Sequence, residues 1–223
     1  MEYTRVLPKS KKGIAITWWQ AGAHVLMLAP LAVLLIAAAS NQLGANPIQE
    51  ATLRTGKTAL VLLVLSLVCT PLNAFIGIKQ VVKLRRPLGV YAFIYASVHV
   101  FIFAVLDYVL DAELILQAIG EKRYILVGLA AFILLIPLAV TSTKGWMKRL
   151  GKNWKRLHWL VYLAIPLAVI HYWWLVKADI RVPMQFAAIV GMLLLVRIPA
   201  VRSFMVQLRY RLMRVVDSRK RTQ

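Results

Sequence analysis

"LHWLVYLAIPLAVIHYWWL", residues 157–175, is apolar almost throughout yet carries two histidines, His158 and His171. About 20 apolar residues in a helix cross the ~30 Å hydrocarbon core of a bilayer. The stretch has that length. Its apolar character is continuous rather than alternating with period two, so it reads as a membrane helix and not as a barrel strand. At ~1.5 Å per residue the two imidazoles stand ~20 Å apart along it, too far to share one metal ion. Thirteen residues at ~100° each also leave them about 140° apart around a straight helix. Pro166 lies between them, where a kink can change that phase.

Five further stretches resemble this one. With it, the expected spans are roughly 14–40, 58–78, 88–109, 124–142, 157–176 and 183–202. The whole chain of 223 residues is 61% hydrophobic with a mean hydropathy of +0.70. That is more apolar surface than a soluble core of ordinary composition buries. The sequence therefore predicts an all-α integral membrane protein, a six-helix transmembrane bundle. The first run is long, rich in Trp and lacks a small-residue cleavage site, so it is expected to be retained as a helix rather than removed as a signal.

The net charge of +20 does not point to nucleic acid, because the basic residues fall in short blocks between the apolar runs. Taken alternately, one set of blocks collects 22 basic residues and the other 6, while the acids divide two against six the opposite way. The positive-inside rule then puts both termini in the cytoplasm. Trp18 and Trp19 near one end of the first span, and Trp173 and Trp174 near the other end of the fifth, fit the two interfacial aromatic belts. Residues 1–13 form a cytoplasmic segment, 14–202 the six-helix domain, and 203–223 a basic tail. The tail mixes apolar and basic residues at helical spacing and reads as an anchor on anionic lipid, or as a docking surface for a cytoplasmic partner. The loops are too short for a soluble catalytic domain. No repeat of 20–50 residues is visible.

All four histidines, His24, His99, His158 and His171, fall inside expected spans. Ionisable groups at membrane depth are costly, and imidazole there ligates metal or heme, relays protons or binds a polar substrate. His99 is ~18 Å along the third span and His171 ~20 Å along the fifth, counted from the basic side, so the two reach a similar level. Neighbouring helices bearing imidazoles at one depth can clamp a heme iron axially. His158 sits at the basic edge. His24, beside Gly22 and Ala23, reads chiefly as a helix-packing residue.

Other features carry less. Cys69 is the one cysteine, which excludes a disulfide framework or a Cys-ligated cluster and leaves a small core residue. "RTGKTAL" (54–60) lacks the upstream glycine of a phosphate loop. Asp107, Asp111 and Glu113 lie in an acidic outer loop, which reads as a solvated loop or partner surface. A proton-coupled transporter using a histidine relay is the alternative class. No acidic residue deep inside a span, Asp107 lying at the outer end of the third, and no Gly/Pro-broken helix pair speaks for it.

The ordered set of residues resembles a known family. The pieces are "HVLMLAPL" (24–31), "TGKTAL" (55–60) with "TPL" (70–72), "RRPLGVYAFIYASVHV" (85–100) and "TSTKGWMKRLGKNWKRLHWLVYLAIPLAVIHYWW" (141–174). They resemble the heme-binding membrane subunits of periplasmic methionine sulfoxide reductase systems, the MsrQ (YedZ) family, within the ferric reductase and NADPH oxidase transmembrane superfamily. The likeness runs over roughly residues 20–202. It implies an electron-transfer subunit in the bacterial inner membrane, without catalysis of its own, that binds b-type heme through His99, His171 and His158. The heme iron would be held by His99 and His171. Electrons would enter from a cytoplasmic flavin reductase, a bound flavin (FMN) or the quinone pool. They would leave to a periplasmic molybdopterin-containing methionine sulfoxide reductase that repairs oxidised proteins. The superfamily's oxidases carry two histidines on each of the third and fifth helices. Here the third has only His99, and counting fourteen residues back reaches Arg85, with Arg86 next to it. A second heme at His158 would need another partner, such as His24. Arg85, Arg86 and Arg156 would instead pair with heme propionates, a lipid head group or a flavin phosphate.

Overall fold

The computed structural model describes residues 18–176 and 178–201, with residues 203 and 207. The expectations for segment 1–13 and for nearly all of the tail lie outside the described residues. Helices α1 (Trp18–Ala39), α2 (Pro47–Ile76), α3 (Arg85–Phe101), α4 (Ala112–Glu121), α5 (Arg123–Val140), α6 (Lys144–Leu150), α7 (Lys152–Leu157), α8 (Val161–Leu175) and α9 (Arg181–Leu195) follow in that order. No strand occurs among the described residues.

Five helical stretches are long and apolar enough to cross a membrane: Trp18–Ala39, Pro47–Ile76, Val81–Asp107, Arg123–Val140 and Lys152–Leu175. The expected sixth span, 183–202, differs. Its helix α9 ends at Leu195 and gives way to a turn at 196–198. Fifteen helical residues reach ~22 Å, short of the ~30 Å core.

Helix α2 is the most buried element and begins well before the expected 58. Asn46 caps it, its side chain accepting from the Gln49 amide at 3.1 Å, and Pro47 follows at the first turn, where a missing N–H costs nothing. Glu50, Arg54 and Lys57, assigned to a loop from their charge, therefore lie on this helix. Glu50 and Arg54 pair one turn apart. At its far end Gly77, with φ 84°, takes the left-handed position that stops the helix. The polar side chains of α2 are satisfied within it: Thr55 donates to the Ala51 carbonyl, Ser66 to that of Leu63 and Cys69 to that of Leu65. Cys69 is 2% exposed, as a small core residue.

The acidic loop also differs from expectation, because it contains α4. Asp111 accepts from the amides of Glu113 and Leu114 and caps it. A π-helical stretch, Ile102–Asp107, leads from α3 into this region. The Lys122 ammonium donates to the Tyr108 hydroxyl at 3.1 Å, tying the start of α5 back to the end of that stretch. This bond holds the ammonium above the usual lysine pKa.

The stretch 157–175 is not one helix. Gly151 (φ 50°, ψ −121°) separates α6 from α7, and a 3₁₀ turn at His158–Leu160 separates α7 from α8. The break between the two histidines thus falls at His158–Leu160, six to eight residues before Pro166.

The two most extensive helix contacts are α2 with α3 and α5 with α8. A shift of 72 residues (99 to 171) superposes these two hairpins in sequence. It carries Gly56, Ala59, Leu63, Ala92, Ala96 and His99 onto Gly128, Ala131, Leu135, Ala164, Ala168 and His171. The matched positions do the same job in each half. Ala92 and Ala164 are both 0% exposed, and Ala59, Leu63, Ala131 and Leu135 are all buried. Small residues let the paired helices approach closely in lipid. The bundle core is therefore two copies of one helical hairpin, longer than any repeat legible at 20–50 residues.

Candidate functional site

His99 lies in the last turn of α3 and His171 near the end of α8, and the fold brings them together. Their ring centroids are 6.1 Å apart with the planes at 85°. Each ring is held by the first helix of its own hairpin. Nδ1 of His99 lies 2.9 Å from the Thr52 carbonyl, and Nδ1 of His171 lies 2.7 Å from the Tyr124 carbonyl. Both bonds span 47 residues, so they are one bond repeated.

A carbonyl oxygen only accepts. Each Nδ1 therefore carries the proton and donates, which leaves each Nε2 with a free lone pair. A ring N–H donated to a carbonyl is the usual support behind a metal-ligating histidine. The separation agrees: imidazole–metal bonds of ~2 Å put two ring centres about 6 Å apart across a single ion. Among the described residues no group of three or more His, Cys, Asp and Glu converges. The protein offers two nitrogens and no cage, which suits a metal that brings its remaining ligands with it.

His158 is built differently. Thr141 Oγ1 donates to the Pro137 carbonyl at 2.6 Å, which uses its one proton. His158 Nε2, 3.2 Å from the same oxygen, must then be the donor. Its Nε2 is occupied where those of His99 and His171 are free. The Trp154 ring lies against it, centroids 4.0 Å apart, and the indole N–H donates to the Thr141 carbonyl at 2.9 Å. His24 stands apart from both sites, with Nδ1 3.1 Å from the Tyr91 hydroxyl.

A cavity of about 740 Å³ opens beside His158, lined by Arg85, Arg86, Trp154, Lys155 and Arg197 among others, and by no acid. The 72-residue shift maps Arg86, not Arg85, onto His158. Arg156 is exposed and does not line the cavity; Lys155 does. Arg197, inside the expected span 183–202, was not singled out from the sequence. It donates to the Tyr162 hydroxyl at 2.7 Å and to the Leu67 carbonyl at 2.6 Å, with the guanidinium 4.8 Å from the Tyr162 ring centre. Its Nε is buried with no hydrogen-bond partner among the described residues. The signal was its position: an arginine in the last turn of an apolar run, between Val196 and Ile198.

Residues 55–169 match the family model described as ferric reductase like transmembrane component. The protein-methionine-sulfoxide reductase heme-binding subunit MsrQ of Xanthomonas campestris pv. campestris is 44% identical over 191 residues, covering 83% of this chain and 88% of that one. The subunit of the same name from Xanthomonas axonopodis pv. citri is 47% identical over 177 residues, 77% of this chain and 81% of that one. That of Herminiimonas arsenicoxydans is 42% identical over 177 residues, 78% and 81%. No solved structure matches the chain. The family match begins in α2, takes in His99 and ends in α8 two residues before His171, and the chain is a multi-pass membrane protein that belongs to the ferric reductase-like transmembrane family, among its MsrQ subunits.

Proposed function

We propose that the chain is the heme b electron-transfer subunit of a methionine sulfoxide reductase system in the bacterial inner membrane. The observation that carries this reading is the His99–His171 pair, two free Nε2 lone pairs with ring centroids 6.1 Å apart. His99 and His171 would hold the heme iron, and the Thr52 and Tyr124 carbonyls fix their tautomers. Bound there, a heme supplies a one-electron iron couple. The names of the relatives, heme-binding subunits of protein-methionine-sulfoxide reductases, support both the cofactor and the partner. That partner is a periplasmic molybdopterin-containing subunit, which takes electrons at the end where α3 and α8 finish.

The charge pattern, with α9 taken as a sixth and shorter span, puts both termini and the basic cavity on the cytoplasmic, donor side. Arg85, Arg86 and Arg197 give it the charge to hold an anionic donor, an FMN phosphate supplied by a flavin reductase, or a quinol head group from the pool. His158 lies in this entrance, and its Nε2 bond to Thr141 argues for one heme rather than two.

The test is heme quantified per polypeptide in detergent-solubilised protein from heme-replete cells. One equivalent with a reduced b-type spectrum is expected. His99→Ala and His171→Ala each abolish it, and His24→Ala leaves it intact. A colourless wild-type protein overturns the reading, and substrate flux without bound heme would favour a histidine-relay transporter instead.

A further inference from the structure

Each imidazole of the pair faces a glycine on the helix that holds it. A Cβ added at Gly56 would stand 2.9 Å from His99 Nδ1 and 3.0 Å from Cε1. One added at Gly128 would stand 2.5 Å from His171 Nδ1 and 2.8 Å from Cε1. Real side chains do not approach so closely, so the ring would have to move. In both hairpins the glycine lies one helical turn after the residue whose carbonyl takes the Nδ1 proton: Thr52 then Gly56, Tyr124 then Gly128. The same atoms of the ring, Nδ1 and Cε1, are the ones in contact in both halves. Neither glycine needs its conformational freedom. Both lie inside helices, and neither has a positive φ.

We infer that Gly56 and Gly128 are positioning residues for the two ligands. By leaving the wall of α2 and of α5 bare, each lets an imidazole lie flat enough on the helix to donate Nδ1–H to the carbonyl one turn back. The ring is thereby held in the tautomer and orientation that aim Nε2 away from the wall, at the common centre. The element Thr52/Gly56/His99 and its repeat Tyr124/Gly128/His171 form one ligand-holding device used twice. The consequence is equivalence: damage to either glycine acts on the same property in the same direction. This inference rests on the heme reading above.

The experiment substitutes Gly56→Ala and Gly128→Ala in the full chain, purified in detergent from heme-replete cells. Helix propensity alone favours Ala over Gly in a helix interior. A loss therefore comes from the ring contact and not from the helix. Each variant is expected to lose at least half of the bound heme, or to keep it with a shifted midpoint potential and altered low-spin ferric electron paramagnetic resonance signal. Gly22→Ala and Gly191→Ala, where an added Cβ meets nothing within 4 Å, keep wild-type heme content and spectrum. If Gly56→Ala does not accumulate, Gly56→Ala/His99→Ala accumulates like His99→Ala, since the clash leaves with the ring. The inference is overturned if both alanine variants match wild type in content, potential and spectrum, or if the double variant is no better than Gly56→Ala. Wild-type protein without heme would instead defeat the heme reading, which is a separate result.

Discussion

At the scale of single residues, the hydroxyl of Tyr95 does work that its position in an apolar helix hides. Tyr95 is 2% exposed; it donates to the Met27 carbonyl and accepts from the Leu31 amide, both at 2.9 Å. Those two groups are the partners of a single i→i−4 rung of α1, next to Pro30. The side chain of α3 is thus built into the backbone of α1. Tyr95→Phe leaves this rung without its bridge, at a cost of about 1–3 kcal/mol. The expected outcome is an apparent Tm lower by a few degrees in detergent, with heme content retained, because the hydroxyl bonds to the backbone of α1 and to neither histidine. Histidines were legible in the sequence because charge-capable groups stand out in hydrocarbon. Thr52, Tyr124, Gly56 and Gly128 were not: two of them contribute a carbonyl, which every residue has, and two contribute the absence of a side chain. Arg197 was hidden by the basic tail that follows it.

At the scale of elements, charge misled where capping would have guided. Glu50, Arg54 and Lys57 read as a loop, but Asn46 and Pro47 start α2 before them. Asp111 likewise starts α4 within what reads as a solvated loop. Apolar length located the other helix cores within a few residues, since burial in lipid needs little more than that. The fifth span shows the limit of this signal. Its apolar run passes smoothly through His158, and only Gly151, at φ 50° and ψ −121°, marks the break between α6 and α7. That conformation is closed to residues with a Cβ. Gly151→Ala is expected to cost about 1–3 kcal/mol, seen as a lower apparent Tm. Gly145→Ala, inside α6 where an added Cβ would meet only Thr143 Oγ1 at 4.0 Å, is expected to be neutral or mildly stabilising in the same assay.

At the scale of the whole molecule, the distribution of charge predicts its placement. A reporter that is active only outside the cytoplasm stays silent when fused after residue 223, and one that fluoresces only in the cytoplasm lights up. The reverse pattern would invert the bundle and with it the donor and acceptor sides. The repeat was present in the sequence as Gly56/Gly128, Ala92/Ala164 and His99/His171, but nine identities scattered over two hairpins are invisible until packing shows which positions matter. That repeat has a consequence for the sense of flow. Exchanging the two hairpins would leave the His99–His171 end unchanged, one imidazole and one carbonyl replacing another. At the opposite end the same exchange would put His158 where Arg86 stands. A conductor with matched terminals cannot tell inlet from outlet. On the proposed reading, this one is matched at the end that grips the cofactor and unmatched at the donor end, where Arg85 and Arg86 correspond to Leu157 and His158.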